Sequence, residues 1–211
     1  LTFIGGWDRS KGGLIMFDFV AFAACWLRAP THVGAVIPSG AALAKAMAAQ
    51  VDPQRPGHVI ELGGGTGAVT AALLERGVAR SRLVVVERDP LFCRLLRQRF
   101  PGLLILNEDA SEVADVLAGY GIDEVSAVVS SLPLLSLGPS VQARLLKRNL
   151  DLFGSAGGLT QFTYGLGSPI RSGVLEESGM SGQPVARVWR NLPPATVWQY
   201  SHHGQEQGAG L

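Results

Sequence analysis

The stretch "VIELGGGTGAVT" (residues 59–70) decides the fold. Apolar residues ending at Leu62 make a strand, four glycines fall within positions 63–67, and "AVTAALLERG" (68–77) has the composition of a helix. Glycine permits positive φ and lets a ligand come close to the backbone. Strand, glycine turn and helix in that order form the nucleotide-binding corner of an open α/β sheet. The corner also carries a carboxylate, Glu61, two residues before the first glycine.

Outward from this corner the chain alternates strands and helices. "HVIEL" (58–62), "LVVVE" (83–87), "LLILN" (103–107), "SAVVSSL" (126–132) and "GLTQFTYG" (158–165) read as strands. Between them, Asp89-Pro90 opens a helix to about Phe100, and "VQARLLKRNLDLF" (141–153) reads as one helix. Near-continuous apolar strands separated by helices predict a parallel sheet covered on both faces. The end of the chain differs: "VARVWR" (185–190) and "TVWQYSH" (196–202) are two strands with no helix between them, a closing hairpin. Before the corner, "AVIPSGAALAKAMAAQV" (35–51) predicts an alanine-rich helix with Ser39 as its N-cap.

Length allows one complete α/β domain, and two would be cramped in 211 residues. A hydrophobic content of 47% with 17% charged residues is that of a folded chain. The net charge of +1 lacks the basic footprint of a nucleic-acid binder, so no nucleic-acid partner is expected. Arg94, Arg97 and Arg99, and likewise Arg144, Lys147 and Arg148, read as solvated helix faces, or as a local basic face that meets anionic lipid. The cysteines, Cys25 and Cys93, have no zinc-type spacing, so no metal is expected; buried thiols in a reducing, cytoplasmic setting fit them. The polar tail 204–211 is expected to be loose, and a chain beginning at Leu1 reads as a piece of a longer one.

"LIMFDFVAFAACWL" (14–27) holds one charged residue, Asp18, and is shorter than the ~20 residues a span needs. Ile15, Phe19, Phe22 and Trp26 share a helical face, which suits core packing or partial burial in a lipid surface.

Three ligands compete for the glycine turn. A phosphate-gripping loop of the GxxxxGK[ST] type needs a lysine, and none stands in 59–76. A dinucleotide fingerprint can be laid over Gly63, Gly65 and Ala68, with Glu87 as the ribose acid. Glu61 favours the third, S-adenosylmethionine (SAM): a carboxylate repels pyrophosphate but attracts the ammonium and sulfonium of a methionine moiety. Later segments agree. Glu87 ends the second strand, where its oxygens can accept from ribose hydroxyls. Asp109 in "NEDA" follows the third strand, where it can accept from the adenine amino group, and "SSLP" (130–133) ends the fourth beside the reacting methyl.

That order of motifs is similar to the class I methyltransferases. Two groups resemble the chain: the ribosomal RNA adenine dimethylases, and the bacterial phospholipid N-methyltransferases that convert phosphatidylethanolamine towards phosphatidylcholine. The second resemblance runs over "VGAVIPSGAALAKAMA" (33–48), the glycine corner, "VVVERDP" (84–90), "SSLPLL" (130–135), "QFTYGLGSPI" (161–170) and "PPATVWQY" (193–200). It implies a Rossmann-like α/β fold, a mostly parallel seven-stranded sheet with a C-terminal hairpin strand, as a domain over 31–203 behind a membrane-interacting helix at 1–30. SAM, leaving as S-adenosylhomocysteine, is the implied cofactor, held by Glu61, Gly63, Gly65, Gly67, Glu87, Arg88, Asp109, Ala110 and Ser130. Phe19, Trp26, Ser39, Leu132, Pro133, Tyr164 and Arg187 are the implied substrate contacts. The implied partners are phosphatidylethanolamine-type lipids and an anionic membrane, with the enzyme at the inner leaflet of the cytoplasmic membrane.

An ammonium headgroup must lose a proton before its nitrogen can attack, so an acceptor is expected near the fourth-strand loop. His32, Ser130 and Tyr164 are the candidates; Tyr164, Trp189 and Trp198 are candidate aromatic faces for cationic products. A base-methylating site wants an aromatic residue on which a flipped base stacks, and here Leu134 follows Pro133. RNA therefore stands second to lipid, and a catalytically silent SAM-binding membrane module is the rival from another class.

Overall fold

The computed structural model describes residues 38–155, 158–191 and 193–202. Seven strands make one sheet: β1 (His58–Leu62), β2 (Leu83–Val86), β3 (Leu104–Leu106), β4 (Val125–Ser130), β5 (Leu159–Thr163), β6 (Met180–Val188) and β7 (Ala195–His202). Their order is β3-β2-β1-β4-β5-β7-β6. β1 to β5 run parallel, and β7 is antiparallel to both β5 and β6. The expected Rossmann-like sheet with its late hairpin is what forms, because only the last connection is too short to carry a crossover helix.

The helices are α1 (Pro38–Ala48), α2 (Ala68–Arg76), α3 (Pro90–Arg99), α4 (Val113–Gly119), α5 (Pro139–Arg148), α6 (Leu150–Ser155) and α7 (Ser172–Glu177). Leu43, Met47, Leu73, Cys93 and Leu96 of α1 to α3 cover Val59, Val85, Val129 and Val197 on one face of the sheet. Val113, Leu117, Leu145, Leu146 and Phe153 of α4 to α6 cover Ile60, Val84, Val128 and Tyr200 on the other. The strict alternation of the strand residues between these two clusters is the two-residue period of the pleat. The order of strands reverses between β1 and β4, so their C-terminal ends open a crevice.

Three expectations change in detail. The helix expected over 141–153 is two helices, α5 and α6, parted at Asn149. Asn149 is fully buried, and its side chain donates to the carbonyls of Leu145 (2.8 Å) and Ala110 (3.1 Å) and accepts from the Ala114 amide (3.1 Å). An amide that serves three backbone groups at a break is a tertiary joint, which helical periodicity does not reveal. Ser39 is the second residue of α1, with Pro38 opening the helix, and does not stand before it as a cap. β6 begins five residues earlier than 185, at Met180, because its antiparallel pairing with β7 continues to the Met180–His202 pair.

The helix expected at 1–30, with Phe19, Cys25 and Trp26, the residue His32 that follows it, and the 204–211 tail lie outside the described residues. No helix among those described is long and apolar enough to cross a membrane. Cys93 is a buried free thiol whose Sγ donates to the Glu87 carbonyl at 3.2 Å.

Candidate active site

Gly63 to Gly67 form a turn over the crevice with three left-handed residues, Gly63 (φ 80°), Gly65 (φ 49°) and Gly67 (φ 83°). These glycines do different work. A Cβ on Gly64 would stand 2.4 Å from Val85 Cγ1, and one on Gly67 would stand 2.4 Å from Phe100 Cε2. Both are glycine so that the turn can lie on the core. A Cβ on Gly65 would meet nothing within 4 Å, and one on Gly63 would touch only the β4 loop, 3.2 Å from Leu132 Cδ2. Gly63 and Gly65 are therefore the two that can face a ligand. Gly67, expected to bind cofactor, donates its N–H to the Gly64 carbonyl at 2.8 Å and precedes α2.

Glu61 is fully buried. Its Oε2 accepts from Thr70 Oγ1 of α2 at 2.7 Å, while Oε1 has no partner among the described residues. Burial pushes its pKa from 4.5 up to about 8, with Thr70 opposing that rise. A buried carboxyl with one open oxygen is a poor resident and a good receptor for a cation. Glu87, half-buried after β2, is tied differently. Its Oε2 accepts from the Gly65 N–H (2.9 Å) and its Oε1 from the Asp89 N–H (2.8 Å). Each oxygen keeps a lone pair for a hydroxyl.

Asp109 Oδ1 accepts from the Ser111 amide (2.9 Å) and hydroxyl (2.8 Å), bonds that hold its pKa below the ordinary carboxylate range. Its Oδ2 faces Arg88 across 3.7 Å in an exposed pair, an arrangement of little energetic weight. Ala110 follows, with its carbonyl held by Asn149.

The β4 loop closes the other wall. Ser130 is buried, and its Oγ accepts from the Leu132 N–H at 3.3 Å. Leu132 is half-buried, Pro133 exposed, and Leu134, where a base-stacking aromatic would stand, is turned into the core. Tyr164 is half-buried beside Phe162, ring centroids 5.3 Å apart and edge to face. Burial raises the pKa of its phenol, with the nearby Asn191 side chain opposing that rise. Ser130 belongs to the face covered by α4 to α6, whereas Tyr164 packs with the cluster of α1 to α3. The two lie at the same edge of the sheet on opposite faces. Arg187 stands on the edge strand β6 with its guanidinium 4.5 Å over the Trp189 ring, so that aromatic face is already taken. Trp198 stacks by Tyr200 at 6.2 Å.

Over 151 residues the chain is 30% identical to the ornithine lipid N-methyltransferase of Singulisphaera acidiphila, covering 70% of this chain and 79% of that protein. The chain belongs to that enzyme's family, within the class I SAM-dependent methyltransferases. It is 37% identical over 82 residues to a probable ribosomal RNA small subunit methyltransferase A of Natronomonas pharaonis, covering 36% of this chain and 26% of that protein. In fold the methyltransferase is similar to the Burkholderia thailandensis 1,6-didemethyltoxoflavin-N1-methyltransferase, whose crystal structure holds S-adenosylhomocysteine. That likeness has a TM-score of 0.53 at 16% identity, over 96% of this chain and 93% of that one. No family model matches the sequence.

The site residues fit SAM on three observations: the open oxygen of Glu61, the free space at Gly65, and the spare lone pairs of Glu87. Sequence reading missed four residues that hold the methyltransferase's site together. Thr70 orients Glu61. Asn107 donates to the carbonyls of Glu87 (3.0 Å) and Arg88 (2.9 Å). Arg99 donates to the Thr66 carbonyl at 2.6 Å. Gln161 on β5 donates to the Leu132 carbonyl at 2.9 Å, with its own buried Oε1 unpartnered among the described residues. Thr70 alone had a signal, since it stands on the helix that leaves the glycine turn.

Proposed function

We propose that this methyltransferase N-methylates the amine of a membrane-lipid headgroup: phosphatidylethanolamine and its mono- and dimethylated forms, towards phosphatidylcholine. The observation that carries the reading is the apolar β4 loop. Leu132 and Pro133 line its open side while Leu134 is buried, so no ring is offered for a flipped base. The 30% identity to an ornithine lipid N-methyltransferase supports a lipid acceptor. It also favours a second headgroup, that of an ornithine lipid.

When bound, SAM supplies a methyl group on a positively charged sulfur. Glu61 receives the methionine ammonium, Glu87 accepts from the ribose hydroxyls, and Asp109 accepts from the adenine amino group beside Arg88 and Ala110. Gly63 and Gly65 give the close approach. The β4 loop, held by Ser130 and Gln161, orients the acceptor amine in line with the methyl, which is where much of the acceleration originates.

The ammonium form of the acceptor first yields its proton. Tyr164 is unsuited to take it, because a phenol with a raised pKa stays protonated; it serves as a hydrogen-bonding contact. Ser130 Oγ already accepts from Leu132, leaving one lone pair for the amine. His32 is the remaining candidate acceptor. Arg187 offers a charge to the lipid phosphate. The enzyme acts at the cytoplasmic face of a membrane, with Phe19 and Trp26 in the interface and Ser39 near the headgroup.

Incubation with methyl-labelled SAM and vesicles containing phosphatidylethanolamine tests the reading. Label in the lipid fraction is the expected result. Label only in ornithine lipid moves the headgroup, label only in ribosomal RNA overturns the lipid reading, and binding of SAM with no transfer to any acceptor marks a silent module.

A further inference from the structure

Six large hydrophobic side chains are exposed among the described residues, and they are unevenly placed. Leu91 stands in the first turn of α3, behind β2. Leu135 and Val141 follow β4, in a 3₁₀ turn and the first turn of α5. Leu166 follows β5, and Trp189 follows β6 in the turn to β7. Because β7 is antiparallel to β5, with Thr196 opposite Thr163, that turn lies at the same edge as the end of β5. Five of the six therefore sit around the C-terminal edge of the parallel strands, where Glu61 and Glu87 open, and Tyr120 alone stands at the other edge, at the end of α4. Leu166 is 89% exposed and Trp189 70%. Isolated exposed hydrophobics need no explanation, but a set collected around one crevice does.

Charge divides the same edge. Over β2 and β3 it carries Glu87, Asp89, Glu108 and Asp109, with Arg88 the intervening cation. Over β5 to β7, residues 158–175 and 185–200 carry Arg171, Arg187 and Arg190 and no Asp or Glu. All three arginines are exposed, and none forms an ion pair among the described residues. Arg187 lies over Trp189, its guanidinium 4.5 Å from the ring centroid.

We propose that the β4–β7 rim, Leu135, Leu166 and Trp189 framed by Arg171, Arg187 and Arg190, is a docking surface for an anionic lipid bilayer. It is separate in sequence from the N-terminal helix, and it rests on the lipid reading of the active site. Apolar tips enter the acyl boundary, the indole sits at headgroup level, and unpaired guanidiniums meet anionic phosphates. The acidic half of the edge is kept for the cofactor, and the basic half is pressed to the surface that holds the acceptor. A nucleic acid fits this rim less well, since three arginines give little counterion release and Leu166 and Leu135 have no polar partner to offer a phosphate chain.

The test uses the full chain and co-sedimentation with vesicles of phosphatidylglycerol and phosphatidylcholine. Neither lipid has a methylatable amine, so the result is independent of which headgroup is the substrate. The wild type is expected to bind in proportion to phosphatidylglycerol content and to release at high salt. The double variant Leu166→Ser/Trp189→Ser is expected to bind at least ~10-fold more weakly while retaining S-adenosylhomocysteine binding, and Tyr120→Ser to match the wild type. Undiminished vesicle binding by the double variant overturns the proposal, and so does a shift from dimer to monomer on making it, which marks a protein interface. Vesicle binding as expected with no label transferred to any lipid amine keeps the rim and removes the substrate reading.

Discussion

The two halves of the sheet's C-terminal edge solve opposite problems with the same backbone. Over β1 to β3 three carboxyl groups are fixed by neighbours: Glu61 by Thr70, Glu87 by the Gly65 and Asp89 amides, Asp109 by Ser111. Over β4 to β7 the groups that project are leucines, a tryptophan and arginines, most of them exposed. Fixed carboxyl groups suit a small cationic molecule of one shape, because a preorganised receptor costs little to orient on binding. Exposed apolar tips and long cationic chains suit a surface of variable composition. The proposed reaction, with its donor taken from water and its acceptor from an interface, would need both.

Substitution at Glu61 breaks the comparison most directly. Glu61→Ala removes the cation receptor and is expected to weaken SAM binding by about 100-fold, ~3 kcal/mol for a buried charged pairing, in calorimetric titration. A variant of unchanged affinity removes the ammonium assignment.

Two glycines separate packing from recognition. Gly64→Ala drives a methyl group to 2.4 Å from Val85 Cγ1, and overpacking of that kind costs about 1–3 kcal/mol, seen as a fall of several degrees in Tm. Gly65→Ala has open space but places an alanine in a left-handed conformation (φ 49°), at a cost of about 1 kcal/mol, so it is expected to lose less folding stability than Gly64→Ala while losing SAM binding. Equal losses of Tm in the two variants contradict the division of roles.

The pH response sharpens the same half. The folded chain holds the Glu61 proton until about pH 8, against an ordinary value of 4.5. Its contribution to stability is therefore full below 4.5 and declines as pH rises through that window to about 8. A cation prefers the ionised form, so SAM affinity is expected to rise about 50-fold between pH 6 and 8, as the ionised fraction of Glu61 grows. Glu61→Gln should flatten that slope; an equally steep slope in the variant assigns the titration to another group. The smallest effect is expected at Thr70→Val, where loss of one hydrogen bond to Glu61 should cost about 1 kcal/mol in SAM affinity without altering the acceptor's KM.

The fold was legible because hydrophobic runs and glycine turns are local signals. Five strands and the hairpin stand within a few residues of their expected positions, and Asp89 caps α3 through the Leu91 amide at 2.7 Å as its sequence suggests. The site was legible in its carboxylates and less so in what holds them. Asn149, Asn107 and Gln161 are ordinary polar residues in sequence, and each takes its role from a carbonyl brought close by another element. The glycines teach the same lesson, since Gly64 and Gly67 look identical to Gly63 and Gly65 until Val85 and Phe100 are seen beside them.

By itself the sequence determined the strand–turn–helix corner, the sign of its charge and the parallel sheet behind it, because these depend on chain neighbours and on periodicity. Only the tertiary structure decided that Glu61 is buried with one oxygen open, that Ser130 and Tyr164 face opposite sides, and that exposed apolar groups gather on one edge. Burial, facing and clustering are relations between residues far apart in the chain, and folding alone creates them.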